Sequence, residues 1–173
     1  MKRWIFPIIA GFVIAALSYQ VTLVATPYVL MHKAMERIGA GGQVNRFAFA
    51  KPSTSYYQPI VRPSPDLSYS SCVFDISKGP VLIDVEPVPG HYWAVGIYDA
   101  RTDVAAVRGE RETGGKPARL ALLHKGEKAP AGYDPVELDH DKGIALIRIL
   151  FDGKEDYAAI DAIRRKSTCK AAV

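Results

Sequence analysis

Between Trp4 and Met31 the chain has no Asp, Glu, Lys, Arg or His. A run that long without a charge reads as a membrane-spanning helix and not as the surface of a water-soluble domain. At about 1.5 Å per residue it would reach roughly 40 Å, more than a hydrocarbon layer of about 30 Å, so part of it must project into the headgroups. Ser18, Tyr19, Gln20, Thr22 and Thr26 fall in its second half, where that exit is expected. No GxSxG, HExxH, CxxC, Walker or GxGxxG sequence occurs, which closes the usual short routes from sequence to mechanism. Cysteine is scarce as well. None lies near the end of the apolar run, which excludes bacterial lipoprotein processing, and Cys72 and Cys169 are too few for a disulfide framework.

Lys2-Arg3 followed by an apolar stretch would also suit a secretory signal, with Leu23-Val24-Ala25 as a tolerable cleavage site. Length favours the uncleaved anchor, because apolar residues continue through Val21, Leu23, Val24, Val29, Leu30 and Met31. The basic amino end favours a cytoplasmic tip and an exported carboxyl domain, with Lys33 and Arg37 on the far side acting against that bias. Residues 1–31 are therefore read as tip and anchor, meeting the lipid bilayer through residues 4–31. Residues 32–173 are read as one exported domain, a normal size for a single core. The expected location is a bacterial inner membrane with this domain in the periplasm.

All 18 acidic residues lie beyond the anchor, with every basic residue except Lys2 and Arg3. The resulting near balance gives no nucleic-acid signal. Acids and bases alternate at Arg101/Asp103, Arg108/Glu110 and Arg111/Glu112, the pattern of a solvated face. Cys72 and Cys169 can pair in an oxidising compartment. Cys72 alternates with Phe74 and Ile76 on an apolar strand face, however, which favours a buried free thiol.

Met31, Met35 and Ile38 repeat at helical spacing, which predicts that the anchor helix runs on to about Ile38 before Gly39, Gly41 and Gly42 stop it. Residues 51–68 carry Pro52, Pro59, Pro63 and Pro65, so they read as an extended surface segment, with Tyr56, Tyr57, Ile60 and Val61 offering apolar packing surface. From Tyr69 the period becomes two. Strands are predicted at 72–76, 81–85 and 92–98, with turns at Lys78-Gly79-Pro80 and Pro87-Val88-Pro89-Gly90, then at 104–108, 119–123 and 144–151. The last is an apolar run interrupted only by Arg148, as in a strand covered on both faces. A final helix follows, with Asp152 as its cap, Glu155 in capping-box spacing, a stripe of Tyr157, Ile160 and Ile163, and Arg164, Arg165 and Lys166 complementing its dipole.

Candidate sites are few. Asp139-His140-Asp141 offers three metal-ligand types in a row, but adjacent loop residues point different ways and no second histidine stands at ligand spacing, so no metal or other cofactor is expected. His91-Tyr92-Trp93 opens the best strand, with Trp93, Val95 and Ile97 on one face and Tyr92, Ala94 and Tyr98 on the other, most simply core aromatics beside a surface histidine. Asp66, Tyr69, Asp75, Asp99, Arg108 and Arg111 could converge at one end of the strands. Within that group Asp66, Tyr69, Asp99 and Arg111 are the candidate ligand-binding set, a carboxylate, phenol and guanidinium combination able to hold a polar ligand. The simpler use of these groups is to satisfy one another across turns. Gly109 and Gly114-Gly115 read as turn residues.

Asn45-Arg46-Phe47, Val61-Arg62-Pro63-Ser64-Pro65-Asp66, Tyr69-Ser70, Asp75-Ile76-Ser77, Gly79-Pro80-Val81, Gly90-His91-Tyr92, Asp99 to Asp103, Gly109, Arg111 to Gly114, Pro130 to Tyr133, and Arg148 with Asp152-Gly153 follow in order. Together they resemble the bacterial family called domain of unknown function 1254, over about Pro27 to Arg165. Where that family tends to have Asn-x-Asp-Thr-x-Tyr, this chain has Ser64-Pro65-Asp66-Leu67-Ser68-Tyr69, and the family's Gly-Pro loop is reduced to Lys125-Gly126-Glu127-Lys128. Larger relatives join this domain to a second β-rich one, domain of unknown function 1214. The resemblance thus implies a half that needs a partner.

The expected fold is α+β and dominated by β: a transmembrane helix, then an antiparallel meander or sandwich closed by a carboxyl-terminal helix. The expected function is that of a non-catalytic assembly or binding module for a protein resembling domain of unknown function 1214. The alternative is an exported enzyme or small-molecule binder using Asp66, Tyr69, Asp99 and Arg111.

Overall fold

The computed structural model describes residues 2–40, 42–53 and 63–172. Helix α1 (Lys2–Ile38) is one uninterrupted element, long and apolar enough to cross a membrane. At about 1.5 Å per residue it is roughly 55 Å long. Pro7 and Pro27 lie inside it. The Thr22 and Thr26 hydroxyls donate to the carbonyls of Ser18 (2.8 Å) and Thr22 (2.6 Å), so neither needs water. The helix continues past the apolar run to Ile38 as its periodicity predicts, and Gly42, at φ 76°, helps turn the chain away.

Strands β1 (Phe47–Phe49), β2 (Leu67–Asp75), β3 (Val81–Val85), β4 (Trp93–Tyr98) and β5 (Val104–Gly109) follow. Then come a short helix α2 (Glu110–Thr113), β6 (Ala118–His124), β7 (Asp134–Leu138), β8 (Lys142–Leu150), α3 (Gly153–Arg164) and β9 (Thr168–Ala171). Of the two antiparallel arrangements expected, meander or sandwich, the structure is the sandwich. One sheet has the order β1-β2-β8-β4-β5 and the other β7-β6-β3-β9. Among the described residues every strand pairing is antiparallel except β6 with β7. β2, β3 and β4, adjacent in sequence, are not neighbours in space: β8 separates β2 from β4, and β3 belongs to the facing sheet.

Alternation decides the faces. Trp93, Val95 and Ile97 point into the core with Phe74, Ile147 and Ile149, against Ile83, Leu120 and Leu122 of the other sheet. The opposite face of β8 is covered too. Ile144 and Leu146 pack with Val73 and Tyr98 beneath Met31, Ala34, Met35 and Ile38 of α1, which explains the nearly unbroken apolar run in that strand. Gly96 makes room for this contact: a Cβ there would sit 2.9 Å from the Tyr98 ring.

Several expectations change. Cys72 and Cys169 form a disulfide that joins β2 to β9 across the two sheets, so Cys72 is not a free thiol. The helix α3 does not close the chain, because Ser167 turns it back and β9 adds to the edge of β3. Asp152 stands at the amino end of α3, but its side chain makes no capping bond. Its backbone N–H instead donates to Asp156 Oδ2. The side chain of Glu155, and Tyr56, Tyr57, Ile60 and Val61, lie outside the described residues.

Arg164 departs furthest from its expected part as a solvated cation at a helix end. It is 1% exposed. All five of its N–H donors are used: Nε to Asp161 Oδ1 (2.8 Å), one terminal nitrogen to the Tyr69 carbonyl (2.6 Å) and Ser70 Oγ (3.2 Å), the other to the Ala50 carbonyl and Tyr157 Oη (both 2.8 Å). The Phe49 and Tyr157 rings lie 5.5 Å from its carbon centre.

Removing the guanidinium should strand buried carbonyls and the Asp161 carboxylate. Arg164→Met is expected to cost about 3–5 kcal/mol in denaturant unfolding, with Arg164→Lys failing to restore the loss because an ammonium cannot fill the same fork. Cys72→Ala/Cys169→Ala should cost about 2–5 kcal/mol in the same assay, since the bond closes a loop of sequence separation 97.

Candidate functional site

A polar cluster lies where α1 meets the end of the first sheet. Tyr28, on α1, places its hydroxyl 3.2 Å from His140 Nε2, with the two rings edge to face at 5.8 Å. His140 Nδ1 in turn sits 3.2 Å from Asp99 Oδ2, off the line of a good hydrogen bond. Asp99 is held by its own turn, Oδ1 accepting from the N–H groups of Arg101 (2.8 Å) and Asp103 (2.9 Å). A carboxylate, an imidazole and a phenol thus run in series from the β4–β5 turn to the helix.

Beside them lies a cleft of about 160 Å³ lined by His32, Met35, Glu36, Val73, Asp75 and Lys142 among others. Asp75 is heavily bonded. Its N–H donates to Asn45 Oδ1 (2.8 Å), its carbonyl accepts from Asn45 Nδ2 (3.1 Å), and its carboxylate takes the Ser77 N–H (2.9 Å) and lies 3.3 Å from Lys142 Nζ. Burial by itself would raise the Asp75 pKa. The bonds from Ser77 and the Lys142 ammonium outweigh it, and the net shift is downward.

The four candidate ligand residues are not brought to one centre. Asp99 is at the α1 end of the sheet. Tyr69 stands opposite Arg148, while Tyr98, next to Asp99, stands opposite Ile144; four residues of β8 put roughly 13 Å between the two levels. The Tyr69 hydroxyl accepts from the Ser64 N–H (2.9 Å), and Asp66 N–H reaches Ser64 Oγ at 3.4 Å, so Ser64 ties this segment back on itself. Arg111 is exposed on α2, beyond Gly109 at the Tyr69 end. Of the two further residues in the wider group, Asp75 is at the Asp99 end, and Arg108 points across to Asp134 of β7 at 3.8 Å.

The expected combination of carboxylate, phenol and guanidinium does occur, on other residues. Asp84, on the outer face of the second sheet, accepts from Tyr133 Oη (3.0 Å) and Thr168 Oγ1 (3.0 Å), with Arg119 Nε at 3.9 Å. Burial, and then the bond to Asp84, raise the Tyr133 pKa. The sequence held one sign of it: Asp84 is the only charge in an otherwise apolar strand.

Asp139, His140 and Asp141 diverge. Asp139 pairs with Lys125 (2.6 Å), His140 faces Asp99 and Tyr28, and Asp141 lies 3.6 Å from His124. His91 Nε2 lies 3.3 Å from Asp156 of α3.

A family model described as a protein of unknown function, DUF1254, matches residues 44–171. The chain belongs to this family. No curated protein matches it. The crystal structure of the VPA0106 protein from Vibrio parahaemolyticus is similar over 84% of this chain and 35% of that one, with TM-score 0.64 and 17% identity. An uncharacterized protein from Burkholderia cenocepacia is similar over 64% of this chain and 32% of its own, with TM-score 0.48 and 15% identity. The Vibrio likeness shows the shared fold, of which this chain spans about a third of the neighbour's length.

In this DUF1254 domain several residues that carry the family resemblance are turn and strand-end fasteners. Asn45, at φ 56°, ties the start of β1 to the end of β2, and Asp99 shapes a turn whose Thr102 sits at φ 67°. Asp75 and Asp161 both have lowered pKa values, Asp161 because bonds from Arg165 and Arg164 outweigh its burial. A carboxylate with a depressed folded pKa stabilises above its unfolded value, here the ordinary 3.8, and that contribution is lost as pH falls through the folded value. Acid unfolding followed by tryptophan fluorescence should therefore show stability falling below pH about 4, with a shallower fall in Asp75→Asn.

Proposed function

We propose that this chain is a single-pass, inner-membrane-anchored assembly module whose exported sandwich docks with a separately encoded β-rich domain resembling domain of unknown function 1214. Residues 4–31 hold it in the bilayer and residues 32–173 stand in the periplasm. The observation that carries the reading is coverage: 84% of this chain corresponds to only 35% of the Vibrio chain. The sandwich fold recurs there within a longer polypeptide, which fits a domain that works against a second one.

Two features support the reading. The disulfide between Cys72 and Cys169 suits an oxidising compartment, as an exported domain would meet. The part-buried carboxylates Asp75, Asp84, Asp99 and Asp161 are each engaged in local bonds that hold turns, strands or α3 in place, which favours a scaffold over a reacting centre.

Mild-detergent extraction of the tagged protein from its own host, with chemical crosslinking and mass spectrometry, tests this directly. The expected result is a stoichiometric β-rich membrane partner crosslinked to the sandwich. Recovery of a monodisperse monomer, with crosslinks confined to residues 32–173, would overturn it.

A further inference from the structure

We infer that the β5 edge of the sandwich, with the adjoining turn at Asp99 to Asp103, lies against the phospholipid surface and completes the membrane attachment begun by α1. The inference rests on the anchored reading above. It adds which side of the domain faces the lipid.

The first observation is that there is no tether. Met31, the last residue of the uncharged run, is only 5% exposed because it is already packed on Val73 and Ile144. The helix passes from apolar run to domain contact without a break, so the domain cannot hang away from the bilayer on a flexible linker.

The second is direction. Tyr28 meets His140, beside Asp99 at the end of β4. His32, Met35 and Glu36 line the cleft with Asp75 and Lys142, which pair β2 with β8. From Tyr28 to Glu36 the helix therefore crosses the sheet from β4 toward β2, covering about 12 Å along its axis where two strand spacings are about 10 Å. Followed back toward its amino end, the helix leaves the sheet over β5. One further strand spacing, about 5 Å, places β5 near the level of Ala25. A hydrocarbon layer of about 30 Å takes about 20 residues, so a layer entered at Ile5 ends near Val24. The β5 edge then falls at the boundary between hydrocarbon and headgroups.

The third is what β5 presents there. Val104 is 58% exposed and Val107 43% exposed, and they stand opposite Tyr98 and Gly96, on the same sheet face that α1 covers. Arg101, in the adjoining turn, is exposed and lies 3.7 Å from Asp103, itself exposed, a loose surface pair that leaves the guanidinium's other donors open to lipid phosphate. Two exposed valines beside a turn whose arginine and aspartate offset each other's charge suit the boundary between hydrocarbon and headgroups.

The test uses the full chain in liposomes of phosphatidylcholine and phosphatidylglycerol. Val104→Cys, Val107→Cys and, on the opposite side of the sandwich, Lys170→Cys each receive an environment-sensitive fluorophore; the native cysteines are paired and buried and take no label. Lipids bearing a nitroxide near the headgroup should quench the probes at 104 and 107 several-fold more than the probe at 170. Weak, equal quenching at all three sites, in protein that stays with alkali-washed vesicles, would overturn the apposition while leaving the anchor intact. Release of the chain by the alkaline wash would instead sink the anchored reading. Shielding of 104 and 107 in native membranes but not in pure lipid would mean that a protein strand covers this edge, and would also overturn the proposal.

Discussion

The buried guanidinium of Arg164 is the constraint on which the closed side of the sandwich depends. A charge taken out of water is tolerated only when every donor finds a partner, and here the partners come from β2, from the residue after β1, and from α3 itself. That requirement fixes where α3 ends. Four residues later, at Thr168, the chain enters β9, which lies along β3 and brings Cys169 to Cys72. One satisfied cation thereby sets the helix, the last strand and the covalent bond between the sheets.

The other side of the first sheet is governed by α1. A sheet face bearing Val73, Ile144 and Leu146 cannot be left in water, and the helix that covers it is the same one whose amino-terminal portion is apolar on every side. The two roles meet at Met31. Because the element is a continuous rod, any tilt of its apolar part is passed to the sandwich, and the orientation of the domain is a property of the helix packing more than of its loops. The Tyr28, His140 and Asp99 series stands one turn before Met31 and links the rod to the β4–β5 turn.

Most acidic side chains at strand ends serve geometry. Asp75 completes a pairing with Asn45 that extends β1 beyond its own hydrogen bonds, and Asp99 accepts two backbone donors in a turn that carries a residue with positive φ. Asp84 joins β3 to Tyr133 and to β9 on the outer face of the second sheet. At these positions the acidic side chains fasten different corners of the same sandwich.

Length and charge pattern along the chain determined the helix through Ile38, the alternation that buries Trp93, Val95 and Ile97, the double coverage of β8, and the helix that begins after Asp152, because these features depend on neighbours within a few residues. The tertiary structure alone decided the rest. Which strands pair, that β3 faces β2 and β4 from the other sheet, that Cys72 finds Cys169, that Arg164 is buried, and that Asp99 lies at the opposite end of the sheet from Asp66, Tyr69 and Arg111 while Asp84, Tyr133 and Arg119 come together are all decided between distant parts of the chain. Periodicity tells a residue which face it occupies; only the packing of one sheet on the other tells it what lies across that face.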